Sequence, residues 1–320
     1  MSSATRLAFL VSACLALRAQ TGIPASSPHV IVIGVDGLSV DAIRSATTPR
    51  LHSLMERAAW TLTARGVMPT LSSPNWESMI GGAGPEAHGI TSNGYFRRLV
   101  EFEPVCHDAD GKFPTIFGVL RQQRPESGIA IFHDWKGFAE LVESRAPDVM
   151  QHEAGAGRTV QAAMEYWARV HPALLFVHLD NVDHAGHAVG WVDKAYYNAV
   201  TQADEYVGEI LDAIDRDGAS SQTFVLVTSD HGGTRKGHGK NSLAEIQIPW
   251  ILAGPGVVAR HLDSIVNTAD TAATLAWIFG LDMPECWTGR PALAAFGSAD
   301  TLTAKTRQQQ AAEDNGPSKR

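Results

Sequence analysis

Carboxylates and imidazoles recur in this sequence where its apolar runs stop. "HLDNVDHAGHAVGW" (His178–Trp191) sets two carboxylates and three imidazoles between His178 and His187, directly after the apolar run "ALLFV". A polar loop after a core strand is ordinary, and Asp and His favour loops anyway. The pattern gains meaning because it repeats: "VIGVDG" supplies Asp36, and "LVTSDHGG" supplies Asp230 and His231. Open parallel sheets bind ligands in the crevice outside the carboxyl ends of their strands, so three such ends would share one cleft. His238, in the Gly-rich "KGHGKN" a few residues further on, is placed to fold back over it.

Asp183 and His187, spaced i, i+4, share one helical face. Mixed oxygen and nitrogen donors suit borderline dications such as Zn²⁺ better than Ca²⁺ or Mg²⁺, which prefer oxygen shells. Asp36, Asp183, His187, Asp230, His231 and His238 together exceed what one tetrahedral ion needs. Two ions about 3.5–4 Å apart form a clamp for in-line phosphoryl displacement. Such a clamp needs a nucleophile, and "VMPTLSSPNWESMIGGAGPEAHGI" (Val67–Ile90) offers Ser72 and Ser73. Pro74 is placed at the first position of a short helix, whose free N–H groups would face an anion.

The elements that must position these groups alternate. "HVIVIGVDG" is a continuous apolar run of the kind found in strands buried on both faces. "TLTARGV", "SGIAIF", "ALLFVHL", "TFVLVTS" and "IPWILAG" read as further strands. Between them lie amphipathic helices: one with Thr48 as its cap and Pro49 at its first position, then Arg158 to Val170, Asp193 to Ile214 and Thr268 to Phe279. Strands alternating with helices of this length imply crossovers and a largely parallel central sheet flanked by helices, an α/β fold.

The 320 residues carry 44% hydrophobic and 19% charged side chains, the balance of a globular protein. A net charge of −8, without clustered Lys and Arg, argues against a nucleic-acid backbone as partner. Residues 1–25, with Arg6 ahead of an apolar run from Leu7 to Leu17, read as a secretory signal. The expected location is therefore secreted or periplasmic. "VSAC", ending at Cys14, resembles a bacterial lipobox and would instead give a lipid anchor; membrane contact is expected only in that case or with an uncleaved signal. Beyond the leader, Cys106 and Cys286 suffice for one disulfide but not for a disulfide framework. No repeat or Pro/Ser linker divides the rest, so residues 26–300 read as one domain and 301–320 as a polar tail.

Taken in order, these motifs resemble the alkaline phosphatase superfamily, and more closely its type I phosphodiesterase/nucleotide pyrophosphatase branch. There a Thr or Ser two residues before a "PN" pair is the metal-bound nucleophile. The resemblance runs from "VDG" to "TADTAATLAWIFGLDMP" and "WTGRP". It implies a three-layer α/β sandwich and a small phosphate-ester substrate hydrolysed through a phosphoserine. It places Asp36, Ser72, Asp230 and His231 around one zinc and Asp183, His187 and His238 around the other. Asn75 would hydrogen-bond a non-bridging phosphoryl oxygen, and "GAGPEAHGI" would be a structural turn. His88 and His184 match no ligand position.

Two departures bear on the substrate. Nucleotide-cleaving members usually carry an aromatic residue just after the nucleophile and another at the end of the strand before the D-x-x-x-H turn. Here those places hold Ser73 and His178, so base stacking is not expected there; Trp76, Trp191 and Tyr95 are the aromatic residues left to line a different pocket. A phosphomonoesterase or phosphonate hydrolase on the same scaffold is the alternative activity. A non-catalytic, metal-stabilised surface binding protein is the alternative of another class. "SSPNW" lacks the Arg of a sulfatase motif, and no G-x-S-x-G elbow occurs.

Overall fold

The computed structural model describes residues 28–94 and 103–296. The leader with Cys14, Tyr95 and the tail lie outside the described residues. The apolar runs form the strands β1 (His29–Val35), β2 (Ala59–Arg65), β3 (Ile129–His133), β4 (Val149–His152), β5 (Leu174–Leu179), β6 (Thr223–Thr228), β7 (Gln247–Ala253) and β8 (Arg260–His261). They build one sheet in the order β4-β3-β5-β1-β6-β7-β2-β8. Among them β7 alone is antiparallel to its neighbours. The sequence reading missed β4 and β8. Both are short and half-exposed or exposed, so neither carries the apolar run by which a buried strand is recognised.

Eleven helices occur among the described residues. The first five are α1 (Val40–Ser45), α2 (Pro49–Met55), α3 (Ser72–Gly81), α4 (Pro85–His88) and α5 (Ile116–Gln123). They are followed by α6 (Phe138–Leu141), α7 (Ala156–Val170), α8 (Asn181–Val189), α9 (Lys194–Arg216), α10 (Leu243–Ile246) and α11 (Asp270–Phe279). Alternate side chains of the central strands point to opposite faces, as the two-residue period requires. On β1, Val30 and Val32 join one core with residues of α3, α5, α6 and α11; Ile31, Ile33 and Val35 join another with residues of α1, α2, α7 and α9. This is the expected three-layer α/β sandwich.

Helix starts differ from expectation in two places. Thr48 does precede α2, but its hydroxyl donates to the Ile43 carbonyl at 3.0 Å and leaves the first turn uncapped. α3 begins at Ser72, so Pro74 is its third residue rather than its first. A proline is tolerated anywhere in the first turn, where its missing N–H would have no helical partner.

Registry sets the level of the site. Val35 pairs with Leu179 and Gly34 with Thr228, so Asp36, Asp180 and the Ser229–Asp230 turn leave the sheet side by side. Cys106 and Cys286, far apart in sequence, form a disulfide.

Candidate metal centre

Asp36 follows β1 and is 1% exposed. Gly34 clears space for the Trp76 ring, since a Cβ there would lie 2.5 Å from it. The Trp76 indole N–H thereby donates to Asp36 Oδ2 at 2.9 Å, and His178 Nε2 stands 3.4 Å from the same oxygen. Oδ1 is left buried with no hydrogen-bond partner. Gly37 turns the chain at φ 68°, and a Cβ on it would meet Asp183 at 2.8 Å. Its N–H donates to Asp230 Oδ1 at 3.1 Å, which leaves Asp230 Oδ2 buried and unpartnered too.

Both orphan oxygens face one nitrogen. His231 Nε2 is 3.5 Å from Asp36 Oδ1, 3.2 Å from Asp230 Oδ2 and 3.3 Å from Ser72 Oγ. Nδ1 is 2.9 Å from the Gly232 carbonyl, an acceptor, so the ring proton belongs on Nδ1 and Nε2 presents its lone pair. Burial holds His231 near a pKa of about 3 despite the pull of Asp36, so it is neutral. Oxygen and nitrogen atoms of four residues thus converge on one small buried volume, with the Ser72 hydroxyl the donor towards Nε2, an arrangement that suits a cation. A Ser-His-Asp relay is excluded, because serine and carboxylates crowd the same nitrogen instead of flanking the ring.

A second cluster repeats the logic. His187 Nε2 and His238 Nε2 face each other at 3.0 Å, and Asp183 lies 3.4 Å from the first and 3.6 Å from the second. The other ring nitrogens point at backbone acceptors: Nδ1 of His187 is 3.1 Å from Lys236 O, and Nδ1 of His238 is 2.7 Å from Thr70 O. Two imidazole lone pairs therefore oppose each other beside Asp183 Oδ1, itself without a hydrogen bond. Trp191, buried beneath both rings, donates its indole N–H to Gly37 O at 2.9 Å.

Electrostatics follow from burial. Asp36 is pushed up by burial, but His178, His231 and Trp76 outweigh this and hold it at about 2. Asp183 is driven by burial, with Asp36 and Asp180 adding, to about 9; Asp230 is raised well above its ordinary value by burial and by Asp36 and Asp183. Burial depresses His178, yet Asp134 and Asp36 on either side raise it to about 9.

The structure brings Asp36, Ser72, Asp183, His187, Asp230, His231 and His238 together. His231 joins the clusters, since its ligand atom lies within 4.8 Å of those of Asp183 and His238 as well as those of Asp36 and Asp230. Asp180, read in the sequence only as loop, forms a third close group with Asp36 and Asp183. Its place directly after an apolar strand run, like that of Asp36, was the only signal the sequence offered.

Asn75 requires a correction. It has no exposed surface; its Oδ1 accepts from Val67 N–H at 2.6 Å, and its Nδ2 lies within hydrogen-bonding distance of the carbonyls of Val67, Pro69 and Leu71. The amide is spent on the loop that delivers Ser72. Asn93 is exposed instead, and its Oδ1 accepts the Ser73 N–H at 2.9 Å at the start of α3. His88 is buried against Ser78, with Nε2 2.9 Å from Ser78 Oγ, whereas His184 is exposed. Trp76 belongs to the core under the site, and Trp191, also in the core, lines a surface cavity together with Ser39, Val192 and Leu243.

Residues 30–246 match the family type I phosphodiesterase / nucleotide pyrophosphatase. The chain belongs to this family. An uncharacterised pyrophosphatase/phosphodiesterase of Schizosaccharomyces pombe is 27% identical over 220 residues, covering 63% of this chain and 44% of that protein. Rat ectonucleotide pyrophosphatase/phosphodiesterase family member 1 is 24% identical over 225 residues, 64% of this chain and 24% of that protein. The chain thus spans less than half the length of these relatives. The murine ectonucleotide pyrophosphatase/phosphodiesterase 5, as an inactive threonine-to-alanine variant bound to AMP, shares the fold at a TM-score of 0.69 and 15% identity. That match covers 84% of this chain and 98% of the murine one.

Proposed function

We propose that the chain is a two-metal phosphoric ester hydrolase, acting on a small phosphate ester through Ser72. The observation that carries this reading is the convergence of the Nε2 lone pairs of His187, His231 and His238 on the unpartnered oxygens of Asp36, Asp183 and Asp230. Asp36, Asp230, His231 and Ser72 would hold one divalent ion and Asp183, His187 and His238 the other. The mixed donor set favours zinc. Bound there, the cations lower the proton affinity of the Ser72 hydroxyl and offset charge on the phosphoryl oxygens.

Ser72 Oγ attacks phosphorus in line, the bond to the leaving oxygen breaks, and water then hydrolyses the phosphoserine. The Ser72 N–H has no hydrogen-bond partner among the described residues and, at the helix start, is available to a phosphoryl oxygen. Asn93 takes over the role expected of Asn75, its amide anchored beside Ser72 by the Ser73 N–H. His178 is fully buried and Ser73 is small, so neither place offers a ring face to a nucleobase. The Cys106–Cys286 disulfide fits a secreted or periplasmic location. No helix among the described residues is long and apolar enough to cross a membrane.

The test compares hydrolysis of paired aryl phosphate mono- and diesters by the zinc-loaded protein. Ser72→Ala is expected to lose about 10⁴-fold or more, and Ser73→Ala to lose little. Full activity of Ser72→Ala on both esters would remove the serine from the mechanism.

A further inference from the structure

Glu245 lies in α10, in the connection from β6 to β7, with no exposed surface. Its carboxylate reaches across the cleft. Oε1 accepts from the Thr234 hydroxyl at 2.8 Å, and Oε2 accepts from Lys240 N–H at 2.6 Å. The Thr70 hydroxyl, 3.0 Å from Oε2 and 2.7 Å from the Lys240 carbonyl, also accepts the Gly239 N–H at 2.9 Å. The Thr70 carbonyl in turn holds His238 Nδ1. Thr70 stands two residues before Ser72 and lies directly against the His238 loop.

The loop brings no apolar anchor of its own, although Trp191 and Leu71 pack against its glycines. Residues 233–242, "GTRKGHGKNS", contain no large apolar side chain, and three are glycines, whose ordering costs the most backbone entropy. Hydrogen bonds must fix this loop. Burial raises the Glu245 carboxyl, but the donors from Thr234, Lys240 and Thr70 outweigh it and keep it below the ordinary value, as a carboxylate that accepts.

We infer that Glu245 is a positioning residue for the His187–His238 half of the metal centre, clamping the His238 loop to the Thr70–Ser72 segment so that ligand and nucleophile keep one spacing. The inference rests on the two-metal reading above. Glu245 belongs to none of the close ligand groups among the described residues; it acts through Thr70 and the loop backbone.

The test uses the full chain. In the metal-free protein, Glu245→Gln is expected to speed amide hydrogen exchange at least about tenfold at Gly239 and Lys240, leaving β1 and β5 protected. Glu143→Gln serves as control: Glu143 is another buried carboxylate, which holds the Thr115 N–H and hydroxyl, and its loss should leave residues 234–242 unchanged. In zinc titration against a chelator, the weaker of two binding steps is expected to weaken about 10–100-fold in Glu245→Gln while the tighter step stays put. Thr234→Val, which removes only the contact to Oε1, should shift both readouts in the same direction and decides the matter if Glu245→Gln does not fold. Unchanged exchange, or faster exchange with both zinc steps unmoved, overturns the clamp. A single zinc step in the wild type overturns the two-metal reading instead, and exchange then still judges the clamp.

Discussion

The two halves of the centre are built from different material. Asp36, Asp230 and His231 stand at the ends of β1 and β6, essentially without exposed surface, and their free atoms are selected by core groups: an indole, a buried imidazole and the Gly37 N–H. Asp183, His187 and His238 come from one turn of α8 and a glycine-rich loop, and the His187 side chain is 47% exposed. One half is fixed by the sheet before any ion arrives; the other is held by hydrogen bonds of a loop, and at His187 water can compete for them. The first should be rigid and expensive to alter, the second adaptable and cheap to alter.

Asp36→Asn against His187→Ala offers the hardest test of that contrast. Both should lose at least about 10³-fold in kcat/KM. Only Asp36→Asn should also unfold at lower urea in the metal-free state, by about 2 kcal/mol, because its carboxyl is held at about 2 against an ordinary 3.8. Equal destabilisation by His187→Ala would erase the distinction.

His178→Gln sharpens the comparison from the buried side. It removes the imidazole that stands between Asp36 Oδ2 and Asp134, at 3.4 and 3.5 Å. About 10–100-fold weaker zinc binding is expected in the tighter step only, the converse of Glu245→Gln. Loss in both steps alike would mean that the halves are not separable.

Proton coupling gives the smallest effect, about tenfold in affinity per pH unit for each proton displaced. Asp36, with its pKa lowered, contributes stability to the metal-free fold that is present above its unfolded value and lost as pH falls towards 2. Asp183, with its pKa raised to about 9, behaves oppositely: its contribution is complete below about pH 4 and fades as pH rises through 9. Near neutrality Asp183 is protonated without metal, so zinc binding should release its proton, measurable by calorimetry in buffers of different ionisation enthalpy. No proton release at pH 7 would contradict this assignment.

Much of this architecture was readable from residues alone. The runs ending in Asp36, Asp183 and Asp230 are buried on both faces, so hydrophobicity marks strand and strand end together. The role of Asn75 was not readable, because its amide is claimed by carbonyls of a loop whose path no periodicity encodes. Asp180 looked like an ordinary residue of the turn before α8 until registry set it beside Asp36. Glu245 carries no motif of its own; its importance comes from Thr70, 175 positions earlier. Cys106 and Cys286, 180 residues apart, gave no spacing clue to their pairing.

The lone antiparallel strand, β7, has a consequence for how such a centre can vary. Because β6 and β7 form a hairpin, residues 229–246 start and finish on the same rim, and donors for both ions come from one uninterrupted stretch. That stretch is a cassette. Apart from the donors Asp230, His231 and His238 and the Glu245 anchor, it can take insertions while every strand keeps its place, so new lids or recognition elements can enter here without redesign of the scaffold.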